Sequence, residues 1–129
     1  MRATILIIED NEQNRYLATF LLEKHGFRVV EAVDGPSGLV LASDRPPDLV
    51  LLDIQLPQMD GYEVARRLRA QPVLRAVPIV AVTSYAMPGD REKALAAGCD
   101  GYVEKPINPD TFVAQVAAFL RGPRQEELS

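Results

Sequence analysis

The sequence predicts an α/β fold in which helices cover both faces of a parallel β-sheet. Five short apolar runs alternate with five segments whose apolar residues recur at helical spacing. This alternation is typical of β-α-β units, whose right-handed crossovers place helices on both faces of the sheet. The 129 residues suffice for one domain with its own core, and no internal repeat or low-complexity segment interrupts them.

The predicted strands are largely continuous apolar runs, as expected where both faces of a sheet are buried. Residues 3–8 form the first strand. The next three cover residues 27–32, 49–52 and 78–82. Gly101–Glu104 forms the fifth, and because it is the least apolar we place it at an edge of the sheet.

Capping and stop residues bound the predicted helices. Asn11 and Asp60 are suitable N-caps, because their side-chain oxygens can accept hydrogen bonds from free backbone N–H groups. Gly26 and Gly98 are suitable stops for the first and fourth helices. The faces predicted to be buried carry Leu17, Phe20 and Leu21 in the first helix, and Phe112, Val116 and Phe119 in the last, which begins at Asp110.

The composition, 47% apolar and 25% charged, is that of an ordinary soluble globular protein. A net charge of −4 provides no general attraction to nucleic acid or to an anionic membrane. The single cysteine, Cys99, cannot form an internal disulfide, which favours a reduced, cytoplasmic location. No apolar run approaches the length of a membrane span. We therefore expect a cytoplasmic protein that binds neither nucleic acid nor a membrane.

Polar side chains follow the predicted strands at their carboxyl ends. They are Glu9 and Asp10 after the first strand, Asp53 after the third, Thr83 after the fourth and Lys105 after the fifth. Parallel strands end at one edge of the sheet, and ligands of doubly wound sheets bind beyond that edge. We therefore expect these side chains to converge in one pocket.

Three carboxylates and one ammonium group suit a divalent cation and a phosphoryl group. Clustered carboxylates repel one another and need a cation, and an all-oxygen ligand set with room for water suits Mg²⁺. Asp53, the central carboxylate, is then placed to attack phosphorus and form an acyl phosphate. Lys105 supplies a positive charge and Thr83 a hydroxyl hydrogen bond to the phosphate oxygens, which provides the placement and charge stabilisation that phosphoryl transfer requires.

Four segments resemble the receiver domain of two-component response regulators. They are residues 7–11 (Ile-Ile-Glu-Asp-Asn), 53–61 (Asp-Ile-Gln-Leu-Pro-Gln-Met-Asp-Gly), 82–84 (Val-Thr-Ser) and 104–106 (Glu-Lys-Pro). The second is the most specific, because its Asp, Pro, Met and Asp-Gly recur at fixed spacing in the family. The resemblance assigns residues 1–121 to a receiver domain and leaves a short polar tail over residues 122–129.

The resemblance implies a flavodoxin-like (βα)5 doubly wound sheet with strand order 2-1-3-4-5. It also implies that Asp53 accepts the phosphoryl group, and that Glu9, Asp10, Asp53 and the backbone carbonyl of Gln55 hold Mg²⁺ as the cofactor. The family commonly has Asp-Asp where this chain has Glu9-Asp10, and this substitution keeps the charge.

The resemblance further implies partners and a switch. A histidine kinase or a histidine phosphotransfer protein would supply the phosphoryl group. Thr83 would move toward the phosphate and Tyr102 would turn inward, reshaping the face of helix four, strand five and helix five, where a downstream protein would bind. The Lys105–Pro106 peptide bond is cis in such proteins, which helps to aim the lysine.

Other functions fit these residues less well. An aspartyl-phosphate phosphatase usually carries a second Asp two residues after its nucleophile, where this chain has Gln55. A flavin or nucleotide binder would need a Gly- or Ser/Thr-rich phosphate loop in place of the acidic residues 9–12. A phosphate-independent interaction module would usually have lost part of the motif. Two simpler interpretations stay open, with Tyr102 as an ordinary edge aromatic and Arg66, Arg67 and Arg69 as a solvated basic face.

We therefore interpret the chain as a phosphorylation-dependent signalling switch. It is not an enzyme beyond assisting its own phosphorylation and dephosphorylation. The chain resembles single-domain receivers, and the alternative is a receiver module of a longer hybrid kinase or regulator.

Overall fold

Five strands and five α-helices alternate in the computed structural model, which describes residues 2–84 and 88–121. The strands are β1 (Thr4–Ile8), β2 (Arg28–Ala32), β3 (Leu49–Asp53), β4 (Ile79–Thr83) and β5 (Gly101–Glu104). The helices are α1 (Glu12–Lys24), α2 (Gly35–Asp44), α3 (Gly61–Ala70), α4 (Asp90–Ala96) and α5 (Phe112–Arg121). A short 3₁₀ helix, Pro72–Leu74, lies between α3 and β4. The predicted tail at residues 122–129 lies outside the described residues.

All neighbouring strands pair in parallel, in the order β2-β1-β3-β4-β5. The predicted flavodoxin-like order and the edge position of β5 are confirmed. The order reverses between β1 and β3, where the chain leaves the β1–β2 side and continues toward β4. Since ligands of such sheets bind beyond the carboxyl ends of the strands at this reversal, the order identifies the edge where a site is expected.

Alternating residues of the central strands form two cores on opposite faces of the sheet. On one face Leu6, Val50 and Ile79 pack beneath α2, α3 and α4. On the other, Ile5 and Leu49 pack beneath α1 and α5. Helices therefore cover both faces, as the sequence predicts, and hold the strand ends in a fixed arrangement. No helix within the described ranges is long and apolar enough to cross a bilayer.

The predicted caps and stops are present. The side chains of Asn11 and Asp60 accept hydrogen bonds of 2.9 Å from the backbone N–H groups of Asn14 and Tyr62, respectively. Gly26 and Gly98 have φ angles of 93° and 109°, in the left-handed region that glycine adopts without strain. These signals fix where α1 and α3 begin, and hence how each helix follows the strand before it.

The predicted buried face of α1 is wrong in one respect. Phe20 is 49% exposed and its ring stacks on that of Tyr16, whereas Leu22 is fully buried. Residues 16–22 are almost all apolar, so more than one helical face satisfies the spacing. The helix turns its small Ala18 toward the sheet, where it is buried with Leu21 and Leu22. In α5 the predicted face is correct, although the helix begins at Phe112 rather than at Asp110.

Candidate functional site

Backbone hydrogen bonds continue beyond the strands and hold the carboxyl-end residues side by side. The N–H of Glu9 donates to the Ala32 carbonyl at 3.0 Å, and that of Lys105 donates to the Thr83 carbonyl at 2.8 Å. Asp53 is the last residue of β3 and lies opposite Val82 of β4. The sheet itself therefore sets the spacing of the site residues.

Three carboxylates and one ammonium group meet at this edge. One carboxylate oxygen from each of Glu9, Asp10 and Asp53 lies within 4.8 Å of the other two. The Lys105 Nζ atom lies 2.8 Å from Glu9 Oε1 and 3.4 Å from Asp53 Oδ1. Glu9 and Asp53 are only 5% and 3% exposed, whereas Asp10 is exposed to solvent. The site thus combines a buried acidic pair, one ammonium group and one open carboxylate.

The pKa of Glu9 is raised even though the Lys105 ammonium group lies 2.8 Å from its carboxylate. Burial, the largest cause, together with the neighbouring Asp53 carboxylate raises the pKa of Glu9 to about 7, although Lys105 lowers it. A protonated Glu9 relieves part of the repulsion between the acids. A bound cation would relieve the same repulsion and leave all three carboxylates ionised.

Backbone N–H groups orient the two buried carboxylates. The N–H of Gln55 donates to Asp53 Oδ1 at 2.9 Å, and that of Asn11 donates to Glu9 Oε2 at 3.2 Å. The Gln55 side chain in turn accepts a hydrogen bond of 2.7 Å from the Ser84 hydroxyl. This last contact joins the loops that follow β3 and β4 beside the site.

The remaining predicted residues lie on β4, on β5 and at the end of β5. Thr83 is 4% exposed and is the last residue of β4. Tyr102 is half-buried on β5, opposite Ala81. The Lys105–Pro106 peptide bond is cis.

The donors in this site suit Mg²⁺. Each of the three acids offers a hard carboxylate oxygen, and within the described ranges no histidine or cysteine belongs to the cluster. An all-oxygen set with one partner open to solvent is what Mg²⁺, which retains bound water, requires.

Two residues that shape the site are not predicted from the sequence. Arg15 donates to the Glu9 carbonyl from within α1. Gly61 packs directly against the residues after β3, and a Cβ there would lie 2.7 Å from the Asp53 carbonyl oxygen. The Asp-Gly pair in residues 53–61 is a signal for Gly61, whereas no local pattern indicates Arg15.

Comparisons with known proteins agree with this geometry. The family model for the response regulator receiver domain matches residues 5–117. The polar-differentiation response regulator DivK of Brucella ovis is 39% identical over 120 residues, which cover 93% of this chain and 98% of that protein.

Solved structures show the same likeness. The receiver domain of sensor histidine kinase PA1611 from Pseudomonas aeruginosa PAO1, solved with magnesium coordinated in its active site cleft, is 35% identical. Its TM-score is 0.85, and the match covers 93% of this chain and 98% of that one. Chemotaxis protein CheY4 of Vibrio cholerae is 27% identical with a TM-score of 0.89, over 92% of this chain and 99% of that one. The chain therefore belongs to the response regulator receiver domain family.

Proposed function

We propose that Asp53 accepts a phosphoryl group from a phosphohistidine on a partner protein, and that this event switches the contacts the chain makes with other proteins. The observation that carries the proposal is the position of Asp53. Its buried carboxylate lies 3.4 Å from the Lys105 ammonium group and within 4.8 Å of carboxylate oxygens of Glu9 and Asp10.

The residues of the site suit transfer from nitrogen to oxygen. A carboxylate oxygen of Asp53 forms the new bond to phosphorus while the bond from phosphorus to the donor imidazole breaks, and the imidazole nitrogen keeps the electron pair. Lys105, 3.4 Å from Asp53 Oδ1, is close enough to place its charge beside the phosphoryl oxygens. The Thr83 hydroxyl, at the end of the neighbouring strand, is the proposed hydrogen-bond donor to the same oxygens.

Glu9, Asp10, Asp53 and the backbone carbonyl of Gln55 are the proposed ligands of Mg²⁺. When bound there, Mg²⁺ would supply positive charge that offsets the acids and the charge on a phosphoryl group. The clustered oxygens support the assignment, as does the magnesium coordinated in the active site cleft of the Pseudomonas receiver domain.

We place the switch on Thr83 and Tyr102, and the docking of a downstream protein on the face formed by α4, β5 and α5. Thr83 and Tyr102 belong to adjacent, paired strands, so a shift at the site can reach this face through the sheet. A groove of about 220 Å³ lies there, lined in part by Leu95, Tyr102 and Phe119. Leu95 is 47% exposed, which leaves apolar surface for a protein partner to cover.

The phosphodonor in this proposal is a histidine kinase or a histidine phosphotransfer protein. Receiver domains interact with histidine kinases and with downstream targets, and they are not enzymes in the classical sense. We infer that this chain acts in the cytoplasm and catalyses only the gain and loss of its own phosphoryl group, without a nucleic acid or membrane partner.

A second candidate is a receiver module of a longer hybrid kinase or regulator. It is favoured by the 35% identity to the receiver of a Pseudomonas sensor kinase and by 30% identity to that of a Syntrophus aciditrophicus histidine kinase. The mass of the endogenous protein in cell extract distinguishes the two, because a hybrid protein is much larger than a free receiver.

Incubation with acetyl phosphate and Mg²⁺, followed by intact-mass measurement, tests the main proposal. We expect one added phosphoryl group on the natural chain and none on Asp53→Asn. Asp60→Asn is the matched control, because Asp60 caps α3 within the same motif and Asn caps equally well, so this variant should still be modified. Undiminished modification of Asp53→Asn would show that another residue is the acceptor.

A further inference from the structure

We propose that Arg15 is a positioning residue for the cation site, acting as a clamp on the turn that carries Glu9 and Asp10. The inference rests on the proposed role of those acids as Mg²⁺ ligands. It adds a residue that contacts neither the ion nor the phosphoryl group.

The Arg15 guanidinium joins the turn to the edge strand of the sheet. Its Nη1 donates to the Glu9 carbonyl at 2.9 Å and more weakly to the Asp10 carbonyl at 3.5 Å. Its Nε donates to Glu31 Oε1 on β2 at 3.0 Å. The side chain is only 17% exposed, which favours a fixed geometry. The planar fork of arginine can make these contacts at once, whereas a lysine ammonium group is a single point of charge.

The turn needs such support because its two acids repel each other and Asp53. The backbone N–H of Glu9 donates to the Ala32 carbonyl. Beyond that point β1 has ended and α1 has not begun, so among residues 2–84 and 88–121 no strand or helix ladder includes the carbonyls of Glu9 and Asp10. Arg15 reaches back from the first turns of α1 and contacts both carbonyls. The clamp therefore keeps the acidic oxygens close together before a cation arrives, as outer residues do at many metal sites.

Because Glu31 pairs with the Arg15 guanidinium, Arg15 can hold the turn without weakening the attraction of the site for a cation. An unpaired guanidinium near the acids would repel Mg²⁺, whereas the Glu31 carboxylate compensates its charge. A charge role and a geometric role of Arg15 therefore predict opposite effects of its removal on the affinity for Mg²⁺. If its charge mattered most, neutralising it would strengthen Mg²⁺ binding. If its geometry matters most, the same change weakens binding.

Titration calorimetry with MgCl₂, together with thermal unfolding in EDTA, tests the clamp on Arg15→Gln, Arg15→Lys and Glu31→Gln. For both Arg15 variants we expect about tenfold weaker Mg²⁺ binding, the usual scale for loss of an outer-sphere partner. Glu31→Gln should also weaken binding, because it frees one end of the clamp and leaves the guanidinium uncompensated. Arg66→Gln is the matched control, since it removes an arginine that pairs with a glutamate on the exposed face of α3.

Unchanged or tighter Mg²⁺ binding by Arg15→Gln would overturn the proposal. A lower unfolding temperature without weaker binding would do so too, because that would show a role in folding alone. If Arg15→Gln does not fold, Arg15→Lys decides, because it keeps the positive charge and loses only the planar fork of donors, and unchanged Mg²⁺ binding by Arg15→Lys would overturn the proposal. If the natural chain binds no Mg²⁺, the proposed metal site itself is wrong. This result differs from one in which the natural chain binds Mg²⁺ and the Arg15 variants bind it equally well, which would contradict only the role of Arg15.

Discussion

At the scale of single residues, Gly61 determines how closely α3 approaches the acceptor. Its N–H donates to the Ile54 carbonyl at 3.1 Å, and a Cβ would meet the Ile54 backbone and the Asp53 carbonyl oxygen. These are backbone atoms, which cannot move aside as a side chain can. The start of α3 and the residues after β3 therefore fit together only because residue 61 has no side chain.

We expect Gly61→Ala to lower the free energy of unfolding by about 3 kcal/mol, the upper part of the range for overpacking. It should also slow phosphorylation of Asp53, because the clash displaces the backbone of the acceptor. Gly26→Ala is the comparison, since its Cβ meets nothing within 4 Å and the cost of its positive φ is about 1–2 kcal/mol. Urea unfolding and the acetyl phosphate reaction measure both effects. Equal phosphorylation rates in the two variants would contradict this role for Gly61.

The acids and Lys105 could be predicted from the sequence because each lies at the carboxyl end of a strand or within two residues of it. The end of a strand fixes where such a side chain lies, and the residue type fixes its functional group, so a local sequence pattern is sufficient to identify these site residues. Arg15 could not be found in this way. A long arginine side chain can contact residues that are distant along the chain. The contacts of Arg15 with Glu9 and Glu31 depend on how α1 crosses the sheet.

At the scale of elements, Arg69 joins three segments at the end of the sheet opposite the site. Its guanidinium donates to the carbonyls of Leu74, Arg75 and Val77, to the Gly98 carbonyl and to the Asp100 carboxylate. The interpretation of Arg69 as part of a solvated basic face is therefore wrong. Arg66 and Arg67 do lie on that face, where both pair with Glu63.

We expect Arg69→Met to lower the free energy of unfolding by about 3 kcal/mol, because several half-buried carbonyls lose their donor together. Arg66→Met on the same helix should have little effect, since exposed ion pairs contribute little to stability. Urea unfolding of the two variants gives the comparison. Similar losses in both would mean that Arg69 acts only through its charge or helix propensity.

Element boundaries followed from caps and stops, but the face that each helix buries did not always follow from spacing. In α1 the apolar run permits several faces, and contact with the sheet selects the one with Ala18 rather than Phe20. The 3₁₀ turn at Pro72–Leu74 was likewise not predicted, because its residues show neither helical nor strand period. The buried face of α1 and the 3₁₀ turn both depend on packing between elements that are distant along the chain.

At the scale of the whole molecule, strand order assembles the site. Alternation of strands and helices predicts a parallel sheet but does not order its strands, so the order 2-1-3-4-5 came from the family resemblance. The structure has this order. It makes β3 the neighbour of both β1 and β4, which places Asp53 among the residues that follow the other strands.

The site's excess negative charge predicts that Mg²⁺ stabilises the folded chain. At a free concentration one hundred times the dissociation constant, binding adds about 2.7 kcal/mol to the free energy of unfolding. We expect a higher unfolding temperature in MgCl₂ that EDTA reverses. Asp10→Asn should be more stable than the natural chain in EDTA, because it removes one repelling charge, and should gain less from Mg²⁺. Asp44→Asn, an exposed acid of α2, is the control. An unfolding temperature independent of Mg²⁺ would contradict the assignment.

The central claim is that Asp53 holds a labile acyl phosphate, and its reactivity tests this most directly. Hydroxylamine converts an acyl phosphate to a hydroxamate but leaves phosphate esters of serine and threonine intact. After phosphorylation with acetyl phosphate and Mg²⁺, we predict that peptide mass spectrometry finds the hydroxamate on Asp53, and that chelating Mg²⁺ beforehand abolishes it. Hydroxylamine-stable phosphate on Thr83 or Ser84, with Asp53 unmodified, would contradict the account.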